Sequence, residues 1–186
     1  MTNSTLGTGW IEVICGSMFC GKTEELMRLL RRAEIARLRT AIFKPKIDVR
    51  YSEDHIVSHN LLKMESHIIS HAREILPLSE RAQVIGIDEA QFFTDDLVDI
   101  CNTLALRGKR VIVAGLDKDF RAVPFGPMPR LMCEADYLNK LQAICMVCGN
   151  PANFTQRLTK DSAQVVVGEA DMYEARCRNC YEPPED

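Results

Sequence analysis

The sequence predicts an α/β fold, with a mainly parallel sheet flanked by helices and a small second module after it. Short apolar, β-rich runs alternate with helical patterns up to about residue 140, and a glycine-rich loop follows the first run. This alternation is typical of βαβ units with right-handed crossovers. From Cys145 onward the chain changes to paired cysteines, turn residues and short β-like runs, which predict the second module.

The first half of the chain predicts two strands and a helix. "WIEVICG" reads as a strand that leads into the glycine-rich loop, and apolar residues at helical spacing then predict an amphipathic helix over about 22–38. "TAIFKP" predicts a second buried strand that ends at Pro45. Residues 46–66 are polar and weakly periodic, so we expect either a long loop or a small hairpin.

Further along, the pattern predicts two more helices and two more strands. "SHAREIL" indicates a short helix with Ser70 as its N-cap, and "AQVIGID" a third buried strand. "TDDLVDICNTLALRG" indicates a helix with Thr94 as its N-cap and Gly108 beyond its end, before a fourth strand, "KRVIVAGL". The segment 120–131, "FRAVPFGPMPRL", predicts either the wall of an aromatic pocket or a core-packed loop.

Composition favours a globular protein of one ordinary domain with a small appendage: 186 residues, 46% hydrophobic and 26% charged. A net charge of −3 gives no basic balance that would favour nucleic acid or an anionic membrane. No apolar run reaches the roughly 18 residues of a membrane span. "MTNSTLGTG" lacks the features of a signal peptide and predicts a disordered lead-in over residues 1–9. We therefore expect a cytoplasmic location, where structural disulfides are rare.

Residues 16–23, "GSMFCGKT", fit the phosphate-binding pattern G-x-x-x-x-G-K-[ST]. Gly16 and Gly21 let the backbone curl so that N–H groups and a helix N-terminus face phosphate oxygens. Lys22 would reach the β- and γ-phosphates, and Thr23 would offer its hydroxyl to Mg²⁺. The alternative is a glycine-rich turn with an incidental lysine. The motif alone leaves open whether the phosphate serves a motor, a switch or a transfer reaction.

Two adjacent acids follow the third predicted strand, in "VIGIDEAQFF". Asp88 stands where the Walker B aspartate helps to hold Mg²⁺. Glu89 would then act as a general base toward an attacking hydroxyl. The alternative is an acidic loop without catalytic work. The pair alone does not separate phosphoryl transfer to a substrate from water activation in an ATPase.

The tail contains Cys145-x-x-Cys148 and Cys177-x-x-Cys180, a pattern typical of a tetrahedral zinc site of the ribbon type. Four protein ligands leave no open position, so we expect one structural zinc ion per chain. The alternatives are a redox pair or disulfides, and the expected compartment disfavours the latter.

The other cysteines and the histidines carry weaker signals. We expect small core residues at four positions, Cys15, Cys20, Cys101 and Cys133. Of these, Cys20 has plausible thiol reactivity because it stands near a helix N-terminus. Four histidines between residues 55 and 71 fit no common metal triad and read as surface or hinge residues.

Taken together, six segments resemble the type II thymidine kinases, the cellular cytosolic form found in bacteria and animals. They are "GSMFCGKT", "KPKIDVRYSEDHIVSHN", "DEAQFF", "GLDKDFRAVPFGPM", "CMVCGNPANFTQRL" and "MYEARCRNCY". The resemblance covers Trp10 to about Tyr181. It implies ATP-dependent phosphorylation of thymidine in nucleotide salvage, with deoxyuridine as a further candidate substrate. It also implies a RecA-like domain over 10–142, a zinc-binding lasso domain over 143–186, a homotetramer and feedback inhibition by dTTP.

The resemblance also implies residue roles. Glu89 would deprotonate the 5′-hydroxyl of thymidine. The ATP and Mg²⁺ site would comprise Gly16, Ser17, Met18, Phe19, Cys20, Gly21, Lys22, Thr23, Asp48, Arg50, Asp88, Glu89, Ala90 and Gln91. The thymidine pocket would comprise Met18, Phe92, Leu116, Phe120, Phe125, Thr155 and Tyr173. The "lasso" would cross the base, largely through main-chain atoms, at Gln164, Val165, Val166, Val167 and Gly168.

Two other functions fit parts of the pattern. A zinc-ribbon ATPase acting on nucleic acid would use Glu89 to activate water, but the acidic net charge disfavours it. A nucleotide-sensing module without turnover would need no base. The sequence therefore favours a nucleoside kinase that uses Mg²⁺-ATP and binds neither nucleic acid nor a membrane.

Overall fold

A computed structural model of the chain describes residues 9–46, 66–159 and 172–184. Within these residues, six strands form one sheet in the order β3-β2-β4-β5-β1-β6, and every pairing is parallel. The strands are β1 (Trp10–Gly16), β2 (Thr40–Pro45), β3 (Ser66–Ile69), β4 (Val84–Ile87), β5 (Arg110–Leu116) and β6 (Tyr137–Lys140). The predicted α/β fold class is confirmed.

Helices cover both faces of this sheet, which explains the apolar runs in its central strands. The helices are α1 (Lys22–Ile35), α2 (Ile75–Leu78), α3 (Asp96–Leu106) and α4 (Met128–Glu134). On one face, Leu26 and Leu30 of α1 pack with Ile42 of β2. On the other face, residues such as Leu97 of α3 and Met128 of α4 pack in a second cluster. Among the described residues, no helix is long and apolar enough to span a membrane.

Gly86 shows how closely α1 lies against the sheet. A Cβ atom at this position would lie 2.7 Å from Cδ1 of Leu30, closer than side-chain carbons approach one another. Glycine therefore lets α1 lie directly over β4, and this fixes the start of α1 near the end of the strand that carries Asp88.

Three predicted helix ends differ from the structure. Helix α1 ends at Ile35 rather than at 38, because Arg37 adopts a left-handed φ of 60°. The short helix begins after His71 rather than Ser70, because the Glu74 carboxylate accepts hydrogen bonds from the N–H groups of both residues. Helix α3 begins at Asp96, and the Thr94 hydroxyl donates to the Asp96 carboxylate instead of capping the helix.

Before residue 143, three helices or strands were not predicted at all. Strands β3 and β6 lie at the two edges of the sheet, and all four residues of β6 are exposed, so it has no apolar pattern. Helix α4 begins inside the 120–131 segment, whose three prolines and glycine favoured a loop; proline is compatible with the first turn of a helix. Of the remaining predictions, residues 1–8 and 47–65 lie outside the described residues.

The second module consists of two small antiparallel sheets in its described part. β7 (Ala143–Ile144) pairs with β8 (Pro151–Ala152), and β9 (Phe154–Arg157) pairs with β10 (Tyr173–Arg176). Its small core contains alanines and cysteines, against which Cys20 of the glycine-rich loop also packs. The β-like run predicted at 163–168 lies outside the described residues.

Candidate active site

Residues 16–23, hereafter the phosphate loop, connect β1 to α1. Gly16 and Gly21 have φ values of 142° and 85°, and Gly21 is the N-cap of α1. A Cβ atom on Gly16 would lie 2.4 Å from the carbonyl oxygen of Leu141, so this position requires glycine for space as well as for conformation. The loop thus presents its backbone at the N-terminus of a 14-residue helix, an arrangement suited to binding an anion.

Two side chains of the loop support this reading. The Ser17 side chain is buried, and its hydroxyl has no hydrogen-bond partner among the described residues. Lys22 Nζ donates to the carbonyl oxygen of Ser17 at 2.8 Å, within the same loop. A buried hydroxyl that lacks a partner beside a lysine is the environment in which a phosphate oxygen would find donors.

Asp88 follows β4 directly and lies against the start of α1. Its carboxylate oxygens lie 3.2 and 3.3 Å from Oγ1 of Thr23, and the N–H of Glu89 donates to its Oδ1. Lys44 Nζ lies 3.2 Å from its Oδ2. A threonine hydroxyl and an aspartate carboxylate are oxygen ligands of the kind that Mg²⁺ prefers, so the residues present fit this ion.

Glu89 has a constrained backbone and an oriented side chain. Its φ of 52° and ψ of 41° lie in the left-handed region, which non-glycine residues adopt at a cost and which is common at functional sites. Gln91 Nε2 donates to the Glu89 carboxylate at 2.6 Å, and Gln91 Oε1 accepts from the N–H of Leu116 at 2.9 Å. The end of β5 therefore holds Gln91, and Gln91 orients the carboxylate.

Aromatic side chains lie in the segments that follow β4 and β5. Phe92 and Phe125 meet edge to face, with ring centroids 5.7 Å apart. Phe120 and Phe125 are buried, whereas Val123 between them is half exposed; only the end of the 120–131 segment, at Met128 and Leu131, packs in the core. The guanidinium carbon of Arg157 lies 3.5 Å from the Phe120 ring centroid, and Arg157 Nη2 donates to the Tyr173 hydroxyl at 2.7 Å.

Among the described residues, a hydrogen bond joins the phosphate loop to the second module. The N–H of Met18 donates to Oγ1 of Thr155 in β9, with a distance of 3.0 Å. Nearby, the Tyr181 hydroxyl donates to the Phe120 carbonyl oxygen at 2.7 Å, and its ring stacks on Phe154. The second module thus lies directly beside the phosphate loop and the aromatic residues.

The four-cysteine cluster, formed by Cys145, Cys148, Cys177 and Cys180, brings all four Sγ atoms within 4.8 Å of one another. Burial raises the pKa of Cys145, but N–H groups of Cys177, Cys148 and Val147 donate to its sulfur and lower the pKa to about 6. The pKa of Cys177 is lowered as well: burial opposes this shift, and the N–H of Cys180 is the leading contribution in its favour. The pKa of Cys180 is instead raised to about 12, first by its side-chain hydrogen bond with Cys148. Four cysteine sulfurs at this spacing fit a soft divalent metal such as zinc.

Comparison with known proteins identifies the family. The family described as "Thymidine kinase" matches residues 9–181 of this chain. This chain belongs to the thymidine kinase family. A thymidine kinase of Rhodothermus sp. (strain ITI 518) is 58% identical over 176 residues, which are 95% of this chain and 83% of that protein. A thymidine kinase of Bacteroides fragilis (strain YCH46) is 54% identical over 174 residues, 94% of this chain and 87% of that protein.

Solved structures outside the family are much more distant. AMPPCP-bound DnaA from Aquifex aeolicus is 18% identical, with a TM-score of 0.46; the match covers 75% of this chain and 43% of that one. The recognition of the thymidine kinase family from the sequence segments is confirmed by the family match and the close relatives.

The structure brings most of the expected thymidine kinase residues to the C-terminal ends of the parallel strands. The phosphate loop, Asp88, Glu89, Ala90, Gln91, Phe92 and Leu116 lie at the ends of β1, β4 and β5, and Phe120, Phe125, Thr155 and Tyr173 lie in the segments described above. Seven expected residues lie outside the described residues: Asp48, Arg50, Gln164, Val165, Val166, Val167 and Gly168.

Two residues of the site were missed. Lys44 is the penultimate residue of β2, and a charged residue at the end of a buried parallel strand is a usable signal for the site. Arg157 is buried within β9, and an arginine in a buried strand was the corresponding signal. Neither signal identifies the partner, because Asp88 and Phe120 become neighbours only when the sheet and the second module have formed.

Two expectations about single cysteines were wrong. Cys133 is exposed rather than part of the core, because it lies on the outer side of α4. Burial raises the pKa of Cys20 above its usual value although Lys22 is near, so Cys20 lacks the lowered pKa that thiol reactivity needs. Cys15 and Cys101 are buried core residues as expected, and burial raises their pKa values to about 11 and about 12. His67, expected as a surface or hinge residue, is half-buried and stacks on Phe43.

Proposed function

We propose that this chain is an ATP-dependent thymidine kinase that transfers the γ-phosphoryl group of ATP to the 5′-hydroxyl of thymidine and yields dTMP. Membership of the thymidine kinase family supports this activity. One observation carries the mechanism: the phosphate loop and the oriented Glu89 carboxylate both lie at the C-terminal ends of the parallel strands. A carboxylate beside a phosphate-binding loop can remove a proton from the attacking hydroxyl.

In this mechanism the chain holds the phosphates and moves one proton. The N–H groups of the phosphate loop and Lys22 bind the phosphate oxygens of ATP, and they balance the charge that spreads over the transferring group. Thr23 and Asp88 would hold Mg²⁺, which neutralises charge on the β- and γ-phosphates. The Glu89 carboxylate accepts the proton of the 5′-hydroxyl while the new O–P bond forms and ADP leaves. Gln91 keeps that carboxylate in place.

Substitution of Glu89 by glutamine tests the mechanism. The glutamine side chain has the same shape, and its oxygen can still accept from Gln91, so ATP binding should change little. Loss of a general base typically costs about 10²- to 10⁴-fold in rate, and we expect a fall of that order in turnover. The assay incubates the protein with labelled ATP and each common nucleoside and measures the monophosphate. Glu134→Gln, an exposed glutamate at the end of α4, is the matched control.

Two outcomes would contradict different parts of the proposal. If Glu89→Gln kept wild-type turnover, Glu89 would not be the base. If the unmodified protein formed no dTMP, the substrate assignment itself would fail. Deoxyuridine belongs in the nucleoside panel because the resemblance makes it a further candidate substrate.

We further propose that the four-cysteine cluster binds one structural zinc ion, which stabilises a lasso domain over 143–186 beside a nucleotide-binding domain over 10–142. The four sulfurs, all within 4.8 Å of one another, support a metal. Elemental analysis of the purified protein should find about one zinc ion per chain, since four protein ligands make a closed site. A different metal, or none, would contradict this part.

Other parts of the proposal rest on the family resemblance. Asp48 and Arg50 would face the phosphates, and Gln164 to Gly168 would cross the thymine base. The protein would form a homotetramer in the cytoplasm and be inhibited by dTTP, the end product of the pathway. Light scattering measures the oligomeric state, and addition of dTTP to the kinase assay measures the inhibition.

A further inference from the structure

Asp88 carries a negative charge that is almost completely removed from solvent. Its side chain is 3% exposed, whereas the Lys44 side chain, whose Nζ lies 3.2 Å away, is 29% exposed. A buried carboxylate is stable only when a positive charge and hydrogen bonds compensate for its lost hydration. Thr23 and the N–H of Glu89 supply hydrogen bonds to Asp88, but neither carries a charge.

The register of the sheet fixes the position of Lys44 beside Asp88. Phe43 of β2 pairs with Ile87 of β4, and the N–H of Asp88 donates to the Phe43 carbonyl oxygen at 2.9 Å. Side chains alternate along a strand, so Lys44 lies on the same face as Ile42, which packs in the α1 cluster. Lys44 therefore reaches Asp88 on the side of the sheet where the phosphate loop begins α1.

Lys22, the lysine of the phosphate-loop motif, does not supply the positive charge beside Asp88 in the described arrangement. Lys22 Nζ donates to the Ser17 carbonyl oxygen and lies 3.8 Å from Cys20 Sγ. Among the ion pairs of the described residues, the one at Asp88 is made by Lys44. The Lys44 ammonium thus lies at one of the two carboxylate oxygens through which Asp88 would hold a divalent cation.

We propose that Lys44 is the resident counter-ion of Asp88 in the nucleotide-free protein, where it takes the place of Mg²⁺ and keeps the metal from binding alone. Two cations repel each other strongly at one oxygen, so Mg²⁺ must displace the ammonium. The phosphates of ATP offer the ammonium another anion, and the metal therefore enters together with the nucleotide. This inference rests on the proposed role of Asp88 as a metal ligand.

Direct measurement of metal binding without nucleotide tests the inference. Mn²⁺ replaces Mg²⁺ as the probe, and electron paramagnetic resonance counts the free ion in titrations of wild type, Lys44→Met, Lys44→Arg, Asp88→Asn and the Lys44→Met/Asp88→Asn double variant. If Lys44 occupies Asp88 for more than nine-tenths of the time, its removal should tighten Mn²⁺ binding by at least about tenfold. Lys44→Arg keeps the charge and should resemble wild type. Without Asp88, removal of Lys44 should not tighten Mn²⁺ binding, so Asp88→Asn and the double variant should have the same Mn²⁺ affinity.

Thermal unfolding provides a second measurement, which detects the metal through the Tm of the protein and does not count free ion. Lys44→Met leaves Asp88 without its cation, so we expect a lower Tm that millimolar Mg²⁺ partly restores, at matched ionic strength. Wild type and the double variant should show no comparable rise. If Lys44→Met does not fold, Lys44→Gln, which can still donate a hydrogen bond to Asp88, replaces it in both measurements.

Equal Mn²⁺ affinity in wild type and Lys44→Met would overturn the inference, and so would an equal rise in Tm with Mg²⁺. The kinase assay distinguishes this failure from that of the proposed function. If Asp88→Asn is inactive while Lys44→Met binds Mn²⁺ as wild type does, only the counter-ion role is wrong. If Asp88→Asn keeps full kinase activity, the metal role of Asp88 is wrong as well.

Discussion

A hydrogen bond from the N–H of Met18 to the hydroxyl of Thr155 links the phosphate loop to the described part of the second module. Thr155→Val tests its contribution, because valine has nearly the same shape and lacks the acceptor. Thr155 is 5% exposed and Met18 is half-buried, so water can replace the lost oxygen only in part. The variant therefore leaves a backbone donor unpaired while changing the packing very little.

The expected magnitude follows from the cost of an unpaired donor. A buried donor that loses its acceptor costs about 1–3 kcal/mol of unfolding free energy, and the partly buried N–H of Met18 should cost about 1 kcal/mol, at the lower end of this range. In a chain of this size, each kcal/mol lowers the Tm by about 2–4 °C, so Thr155→Val should melt about 2–4 °C lower than wild type. Because Met18 belongs to the phosphate loop, we also expect weaker ATP binding.

Differential scanning calorimetry measures the Tm, and titration with ATP measures the affinity. Thr155→Ser keeps the hydroxyl and loses only a methyl group, so it should melt closer to wild type and bind ATP more tightly than Thr155→Val. If the valine variant were as stable as the serine variant and bound ATP equally well, the hydrogen bond would contribute nothing. The coupling between the two parts of the chain would then need another explanation.

Two further substitutions test other contacts of the site. Gly126→Ala would place a Cβ atom 2.3 Å from the Gln91 carbonyl oxygen at a φ of 50°. Thermal unfolding should therefore show a large loss of stability, and the kinase assay a loss of turnover. Gly149→Ala is the control and should cost much less stability, because φ is also positive there, at 74°, but no atom lies within 4 Å of the added Cβ. Arg157→Lys loses the planar contact with Phe120 and should raise the KM for thymidine by about tenfold with little change in the KM for ATP. An equal rise in both KM values would assign Arg157 a general structural role.

The central part of the fold could be predicted because its physical causes are local. β1, β4 and β5 are nearly continuous apolar runs, since helices cover both of their faces. The edges could not be predicted in this way. β6 is exposed along its whole length, and only its pairing with β1 makes it a strand. Helix α4 was hidden by prolines that the first helical turn accommodates.

The site shows the same division between local and long-range causes. Some features could be predicted because each is a short contiguous motif. These are the phosphate loop, the Asp88–Glu89 pair and each of the two C-x-x-C motifs. The contacts that orient them join distant segments: Met18 and Thr155 are 137 positions apart, and Gln91 reaches Leu116 across 25 positions. Such pairs depend on register and docking, which a single sequence does not encode in any short pattern.

The four-cysteine cluster has a structural consequence for the phosphate loop that its distance in sequence conceals. β10 runs directly into Cys177 and pairs with β9, and Thr155 of β9 accepts the hydrogen bond from Met18. Independently, the Cys20 side chain packs against the small core that contains Cys145 and Cys177. Two separate contacts thus connect the cluster to the loop. A metal that holds the cluster together would also restrain the backbone that binds phosphate, although none of its ligands belongs to that backbone.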